Sequence, residues 1–132
     1  MEVRMDLAEI RISDMSDQQV IVLRERNGAR NLHIVIGNYE ANAIDRRVKG
    51  HYPQRPLTHE LLGNLIDSLQ AELEKIVIND LQDHTYFAKL VLRHNGEVVE
   101  VDSRPSDAIA VGVAGEVPIF VEDHVLREAL RN

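Results

Sequence analysis

Apolar and polar residues alternate along the first third of the chain with the two-residue period of β-strands. Over residues 1–12 the apolar positions change from odd to even near Ala8, which predicts a β-bulge there. A continuous apolar run at 20–23 predicts a second strand, and Asn27-Gly28 is a strong hairpin signal that leads into a third. Three strands therefore open the domain.

Two segments in the middle of the chain have the period of a helix. Asn38 can cap the first helix, and Gly50 ends it. Thr58 can cap the second, which is predicted to be amphipathic. The large apolar residues of this second helix share one face: Leu61, Leu62, Leu65, Ile66 and Leu69.

Strands are predicted again at 73–78, 86–93 and 98–101, before a helix that starts at Pro105. Residues 108–114 of this helix are all small or aliphatic, so we expect it to be buried on most sides. Gly115 is the predicted left-handed C-cap, followed by a short buried strand at 117–121 and a C-terminal helix. The order βββ-αα-βββ-α-β-α predicts a single mixed α+β domain over residues 1–132.

Polar residues surround the start of the buried helix. Asp102, Arg104, Ser106 and Asp107 lie where a strand leads into it. Asp107 also begins an acid-Ala-x-Ala-aliphatic segment, and Glu40 begins another in the first half of the chain. A buried ion pair of Arg104 with Asp107 that caps and fixes the core helix is one interpretation of this polar cluster, and a catalytic site is the other.

Three blocks, in order along the chain, resemble the bifunctional nuclease domain family, small bacterial and plant-type domains to which DNase and RNase activity is ascribed. The blocks are Ile-Gly-Asn-Tyr-Glu-Ala-Asn-Ala-Ile at 36–44, Arg-Pro-Leu-Thr-His-Glu-Leu-Leu at 55–62, and Arg-Pro-Ser-Asp-Ala-Ile-Ala at 104–110 with Val-Pro-Ile-Phe-Val at 117–121. The resemblance spans nearly the whole chain. It implies a metal-assisted nuclease that hydrolyses phosphodiester bonds of RNA and DNA.

Phosphodiester hydrolysis needs an activated water, stabilisation of charge on the phosphate and an acid for the leaving oxygen. If the chain is such a nuclease, the candidate catalytic residues are His59 for proton transfer, Arg104 for the phosphate, and Asp107. The candidate ligands of a divalent cation, Mg²⁺ by preference, are acidic: Glu40, Asp80 and Asp102. Their spacing matches no established metal or phosphate-binding motif.

Two of these candidates also have a structural interpretation. His59 lies in the first turn of a helix, where the dipole favours the neutral ring that can accept a proton or bind a metal. A histidine in such a position is more often a surface or packing residue. Asp80 stands close to Asp83 and His84, and aspartate is the ordinary residue of turns because its carboxylate bonds nearby backbone.

The chain is acidic, with a formal net charge of −7, so contact with nucleic acid needs a local patch or a metal ion. Basic residues concentrate at 46–55. The candidate substrate-binding residues are the cations of this window and a serine of the polar cluster: Arg46, Arg47, Lys49, Arg55 and Ser106. The window is more typical of a helix C-terminus whose cations stay solvated than of a patch that contacts phosphates.

The sequence also indicates the cellular compartment and the oligomeric state of the protein. The chain contains no cysteine, which excludes disulfides and cysteine-bound zinc, and no apolar run long enough to span a membrane, so we expect a cytoplasmic protein. We also predict a homo-oligomer, at least a dimer, that buries the apolar run at 20–23 or 117–121 as an uncovered sheet edge. A non-catalytic, oligomeric binding or regulatory module is the alternative function.

Overall fold

The computed structural model, which describes residues 1–131, contains seven strands and four α-helices in the predicted order. The strands are β1 (Glu2–Arg11), β2 (Gln18–Glu25), β3 (Asn31–Gly37), β4 (Glu72–Gln82), β5 (Thr85–His94), β6 (Glu97–Ser103) and β7 (Ile119–Glu122). The helices are α1 (Asn38–Lys49), α2 (Thr58–Ser68), α3 (Pro105–Gly112) and α4 (Asp123–Ala129), with a 3₁₀ turn after α3 at Val113–Gly115. The predicted α+β class is confirmed.

One mixed sheet is built from two antiparallel three-stranded meanders that β7 joins. The strand order is β3-β2-β1-β7-β4-β5-β6, with β7 antiparallel to β1 and parallel to β4. The predicted bulge in β1 is confirmed, because its pairing with β2 shifts register between Leu7 and Glu9. Without the shift, Leu7 and Ile10 would point to opposite faces of the strand, because one position is odd and the other even. With the shift, both pack against the core.

The two apolar runs that were predicted at sheet edges lie in interior strands. β2 is paired with β1 and β3, and β7 is paired with β1 and β4. That part of the oligomer prediction is therefore wrong. Ile21, Val22 and Leu23 are all buried, so both faces of β2 are covered, as expected for a central strand. The edges of the sheet are β3 and β6.

Helix α3 is the buried helix of the fold. Pro105 follows the N-cap residue Arg104, and Ala108, Ile109 and Ala110 are fully buried, as predicted. α3 packs against β4 and β5 of the sheet and against both α1 and α2. Its N-terminus is therefore held in a fixed position relative to the other two helices.

The C-terminal end of α3 differs from the prediction. The left-handed residue is Glu116, with φ 54°, and not Gly115. Gly115 is still part of the 3₁₀ turn, so the left-handed residue follows one position later. Glycine is needed earlier, at Gly112. A Cβ atom there would lie 2.7 Å from Ile76 Cδ1 and 3.1 Å from Val117 Cβ, so a larger residue would require these side chains to shift.

Helices α1 and α2 each begin one residue earlier than predicted. The N-cap residues are Gly37 and Leu57, so the predicted caps Asn38 and Thr58 are already the first helical residues. The predicted end of α1 is confirmed, because Gly50 adopts the left-handed conformation with φ 72°.

Helix α2 is amphipathic, but its apolar side faces away from the protein. Glu60 is buried against the fold, and Gly63 and Ile66 are partly covered. The leucines on the opposite side are exposed: Leu61, Leu62, Leu65 and Leu69. None of the helices in residues 1–131 has the length and apolarity needed to cross a membrane.

Candidate active site

Four ionisable side chains meet at the N-terminal ends of three helices. Arg104 is the N-cap residue of α3, and Asp107 lies in its first turn. His59 and Glu40 lie in the first turns of α2 and α1. We refer to these four residues as the Arg104 cluster. Helix N-termini favour negative charge, so the position suits its two carboxylates.

Arg104 and His59 each contact one oxygen of the Asp107 carboxylate. Arg104 Nε donates to Asp107 Oδ2 at 2.8 Å, and His59 Nε2 lies 2.9 Å from Asp107 Oδ1. The guanidinium also reaches α1, where Arg104 Nη1 donates to Glu40 Oε1 at 3.0 Å. These bonds connect segments that are 48 and 64 residues apart in the chain.

The contacts favour the ionised forms of Asp107 and Arg104. Burial raises the pKa of Asp107, but the hydrogen bonds from Arg104 and His59 together lower it more, so its pKa lies below the ordinary 3.8. The hydrogen bond to Asp107 likewise raises the pKa of Arg104. At neutral pH the site therefore contains a carboxylate and a guanidinium in direct contact.

The bond to Asp107 orients the His59 ring. An ionised carboxylate only accepts hydrogen bonds, so Nε2 carries the proton in this contact and Nδ1 is the acceptor nitrogen of the neutral ring. The His59 side chain is 12% exposed and lines a cavity. A histidine held by a carboxylate is the arrangement from which hydrolases obtain a general base.

The Arg104 cluster lines an open cavity of about 650 Å³. Tyr39 and Asp102 line it as well, together with the apolar side chains of Leu62 and Val101. The ion pair of Arg104 with Asp107 forms, but it is not buried as predicted, because 64% of the Arg104 side chain is exposed. Its guanidinium can therefore meet an anion from solvent.

A second cavity, of about 490 Å³, lies on the other side of Arg104. Arg104 and Glu40 line both cavities. The second cavity is also lined by the ring side chains of His33, His84 and Tyr86. A ligand longer than either cavity could therefore extend across Arg104 from one to the other.

The structure does not group the three predicted metal ligands. Glu40 and Asp102 line the cavity of the Arg104 cluster, whereas Asp80 does not. Within residues 1–131, no three histidine, aspartate or glutamate side chains form a group that could hold a metal ion. Arg104 supplies the positive charge between the carboxylates of Glu40 and Asp107. These residues do not fit a closed metal site made of protein side chains alone.

Asp80 takes part in contacts within the β4–β5 hairpin. Its carboxylate accepts hydrogen bonds from the Gln82 side chain and the Leu81 amide, and these bonds lower its pKa. Asp83 and His84 form the turn of this hairpin, with φ 49° and 67°. The geometry favours the structural interpretation of this acidic segment.

Arg47, a predicted substrate-binding residue, is buried between helices. Its Nη2 donates to the Val111 carbonyl at 2.9 Å, and its Nη1 lies 3.5 Å from Glu60 Oε2. Only 9% of the Arg47 side chain is exposed. Arg47 also lines surface cavities, but its two contacts and small exposed fraction leave little of the guanidinium accessible to a phosphate, so the geometry favours a structural role.

The other predicted substrate-binding residues do not form one continuous patch. Lys49 and Arg55 are exposed, and Lys49 contacts Asp45 one turn earlier at 3.0 Å. Arg46 is half-buried, and Ser106 is buried in α3. Of the four predicted cations, Lys49 and Arg55 are therefore the ones that solvent reaches most freely.

The bond between Glu40 and Arg104 was not predicted from the sequence, although the repeated acid-Ala-x-Ala-aliphatic segment was a signal for it. Glu40 begins this segment in α1, Asp107 begins it in α3, and both acids bind Arg104. The alanines that follow each acid are buried where α1 packs on α3. Equivalent packing of the two segments places both acids beside the same arginine.

Comparisons with known proteins agree with the resemblance in sequence. A family model described as the bifunctional nuclease domain matches residues 21–131. An uncharacterized protein of Mycobacterium tuberculosis is 43% identical over 120 residues, which cover 91% of this chain and 71% of that protein. Bifunctional nuclease 2 of Oryza sativa subsp. japonica is 30% identical over 114 residues, which cover 83% of this chain and 35% of that protein. Bifunctional nuclease 1 of Arabidopsis thaliana is 31% identical over 74 residues, which cover 54% of this chain and 23% of that protein.

The chain belongs to the bifunctional nuclease domain family. The matched range 21–131 contains the whole Arg104 cluster and both cavities that adjoin it, apart from the two residues 17 and 18 at the rim of the second. The chain spans no more than 35% of the plant relatives named here, so their activities belong to longer proteins.

Proposed function

We propose that this chain is a cytoplasmic nuclease that hydrolyses phosphodiester bonds of RNA and DNA at the Arg104 cluster. The observation that carries the proposal is the meeting of a carboxylate-held histidine and an exposed arginine at an open cavity. Membership of the bifunctional nuclease domain family and the names of the plant relatives support the same activity.

In this proposal His59 transfers the protons of the reaction. Its unprotonated nitrogen takes a proton from the attacking water, whose oxygen bonds to phosphorus while the bond from phosphorus to the leaving oxygen breaks. The proton then passes to the leaving oxygen. Asp107 orients the ring and stabilises the imidazolium, and Arg104 stabilises the charge on the phosphate oxygens.

We also propose that a divalent cation, Mg²⁺ by preference, arrives with the nucleic acid. With a neutral His59, the Arg104 cluster carries one positive and two negative charges, and Asp102 adds a third negative charge to the cavity. This net negative charge weakens the attraction of Arg104 for a phosphate, and a bound cation would offset it. Mg²⁺ is commonly held by one or two carboxylates together with substrate phosphates, and Glu40 and Asp102 are the candidates.

The proposal is tested by cleavage of single-stranded RNA and DNA by the purified protein, in magnesium and in EDTA. His59→Ala should slow cleavage about 10²–10⁴-fold, the usual contribution of a general base. Asp107→Asn should leave binding nearly unchanged and remove most cleavage. Matched controls at exposed positions are His51→Ala and Asp14→Asn, which should cleave like the wild type.

Each outcome of this experiment decides one part of the proposal. Undiminished cleavage by folded His59→Ala and Asp107→Asn would move the activity away from the Arg104 cluster and leave the cluster as a structural cap of α3. Absence of cleavage by the wild type under both conditions would favour the non-catalytic binding or regulatory module. Equal rates in magnesium and EDTA would remove the cation from the proposal.

A further inference from the structure

The outward side of α2 is an apolar surface that the fold leaves uncovered. It consists of Leu57, Leu61, Leu62, Leu65 and Leu69, which we refer to as the leucine face. Leu61 and Leu65, at its centre, are 51% and 48% exposed. Contiguous exposed apolar surface of this kind is typical of an interaction site.

The leucine face carries no charge, although the chain as a whole has a net charge of −7. The ionisable residues of α2 are His59, Glu60 and Asp67. His59 and Glu60 point toward the fold, and Asp67 lies on the flank beside Gly63. Two copies of this acidic chain can therefore approach each other at the leucine face with little repulsion between like charges.

The surface of the isolated chain is large for its mass. Its accessible area is 8159 Å², compared with about 7,000 Å² for a typical monomer of the same 15.0 kDa. A stable interface buries roughly 800 Å² on each partner. The isolated chain therefore exposes more surface than a typical monomer of its mass, as expected for a subunit of an oligomer.

We propose that two copies of this chain form a dimer through the leucine face, with the two α2 helices packed across a two-fold axis. A two-fold interface uses the same patch on both copies, and a leucine stripe is complementary to itself. The proposal rests on the leucine face alone and is independent of the nuclease activity.

Other uses of this surface fit the sequence less well. α2 contains no lysine or arginine, whereas helices that lie on anionic membranes are rich in both. Pairing of two copies through the β6 edge is opposed by its own acids, Glu97, Glu100 and Asp102, because charged residues protect exposed edge strands. Packing of helix against helix through the leucine face avoids these acids.

The dimer would place the partner next to the candidate active site. Leu62 belongs to the leucine face and also lines the cavity of the Arg104 cluster, and Val101 of β6 lines the same cavity. The second copy would therefore border this cavity on its apolar side. Leu61 and Leu65 do not line it, so they can be changed without altering the cavity wall.

The first test is the mass of the protein in solution by light scattering at micromolar concentration. The wild type should have twice the 15.0 kDa mass of one chain. The double variant Leu61→Glu, Leu65→Glu should have the mass of one chain, because it places charge at the centre of the interface. Leu130→Glu is the matched control: Leu130 is 47% exposed at the end of α4, and this variant should stay dimeric.

A second measurement keeps the test decisive if the double variant does not fold. Because the chain has no cysteine, Leu65→Cys introduces the only thiol. A short bis-maleimide should link Leu65→Cys into covalent dimers and leave Leu130→Cys unlinked. A monomeric wild type would overturn the proposal. This holds also if the monomer binds vesicles or another protein. If the double variant is still a dimer and Leu65→Cys is not cross-linked, the dimer interface does not lie at the leucine face.

Discussion

Two charged clusters connect the same three helices, and they differ in their access to solvent. In the buried cluster, Arg47 of α1 contacts Glu60 of α2 and the Val111 carbonyl of α3. The Arg104 cluster also joins α1, α2 and α3, but through their N-terminal ends. The exposed fraction of the arginine side chain is 9% in the first and 64% in the second.

This comparison shows that burial, and not residue type, separates a structural arginine from one that can bind a ligand. The Arg47 guanidinium lies among protein groups, and removing it would leave Glu60 as a buried charge without its partner. Arg104 also makes ion pairs, yet much of its side chain faces a cavity where a new anion can approach. The two clusters should therefore respond differently to substitution.

The largest effect is expected from the buried cluster. Arg47→Ala should lower the free energy of unfolding by about 3–5 kcal/mol, because it leaves a buried carboxylate without its counter-charge. Chemical denaturation measures this loss. Lys49→Ala, an exposed cation of the same helix, is the control and should change stability by less than about 1 kcal/mol. If Arg47→Ala is as stable as the control, Arg47 does not have the structural role that separates the buried cluster from the Arg104 cluster.

A smaller effect on stability is expected from the Arg104 cluster, and it should depend on pH. The pKa of Asp107 is lower in the folded protein than its ordinary 3.8, so its contribution to stability is present above that value and is lost as the pH falls through the folded pKa. Asp107→Asn should therefore be less stable than the wild type at pH 7, and the difference should be smaller at an acidic pH below 3.8. Unfolding free energies at both pH values measure it.

The control for this pH dependence is Asp14→Asn, in an exposed loop. Its stability should follow the wild-type curve at both pH values. A difference between Asp107→Asn and the wild type that is constant with pH would mean that shape, and not the charge of the carboxylate, accounts for the contribution of Asp107.

The smallest effect is expected in the salt dependence of nucleic-acid binding. If the exposed cations of the 46–55 window contact phosphates, Arg55→Ala should reduce the slope of log affinity against log salt by about one unit. Arg47→Ala, measured under conditions where it is folded, should leave that slope unchanged because Arg47 is buried. Titration of a fluorescent oligonucleotide at several salt concentrations compares them. Equal slopes for Arg55→Ala and the wild type would exclude Arg55 as a phosphate contact.

Local signals in the sequence predicted most of the elements but not which strands are neighbours. The hairpin at Asn27-Gly28, the bulge near Ala8 and the proline at the start of α3 each depend on the residues nearby, and all are present. The insertion of β7 between β1 and β4 joins segments far apart in the chain. No local pattern encodes that pairing, so the sheet edges were placed on the wrong strands.

The candidate site was predicted as a set of residues and not as an arrangement. His59, Arg104 and Asp107 were selected together, and the structure brings them into direct contact. Glu40 was predicted as a metal ligand, and its contact with Arg104 was not predicted. Spacing cannot distinguish these possibilities, because the partners come from different helices.

The sequence by itself determined the α+β class, the order of the elements and the residues that surround the start of α3, because each follows from side chains that are close together in the chain. Only the tertiary structure decided which charged residues are buried and which way each helix faces. Arg47 and Lys49 are two residues apart in α1, yet one is enclosed by α2 and α3 and the other is in solvent. The leucines of α2 would have suited a core, but the packing of the helix turns them outward, since burial depends on neighbours that are distant in the chain.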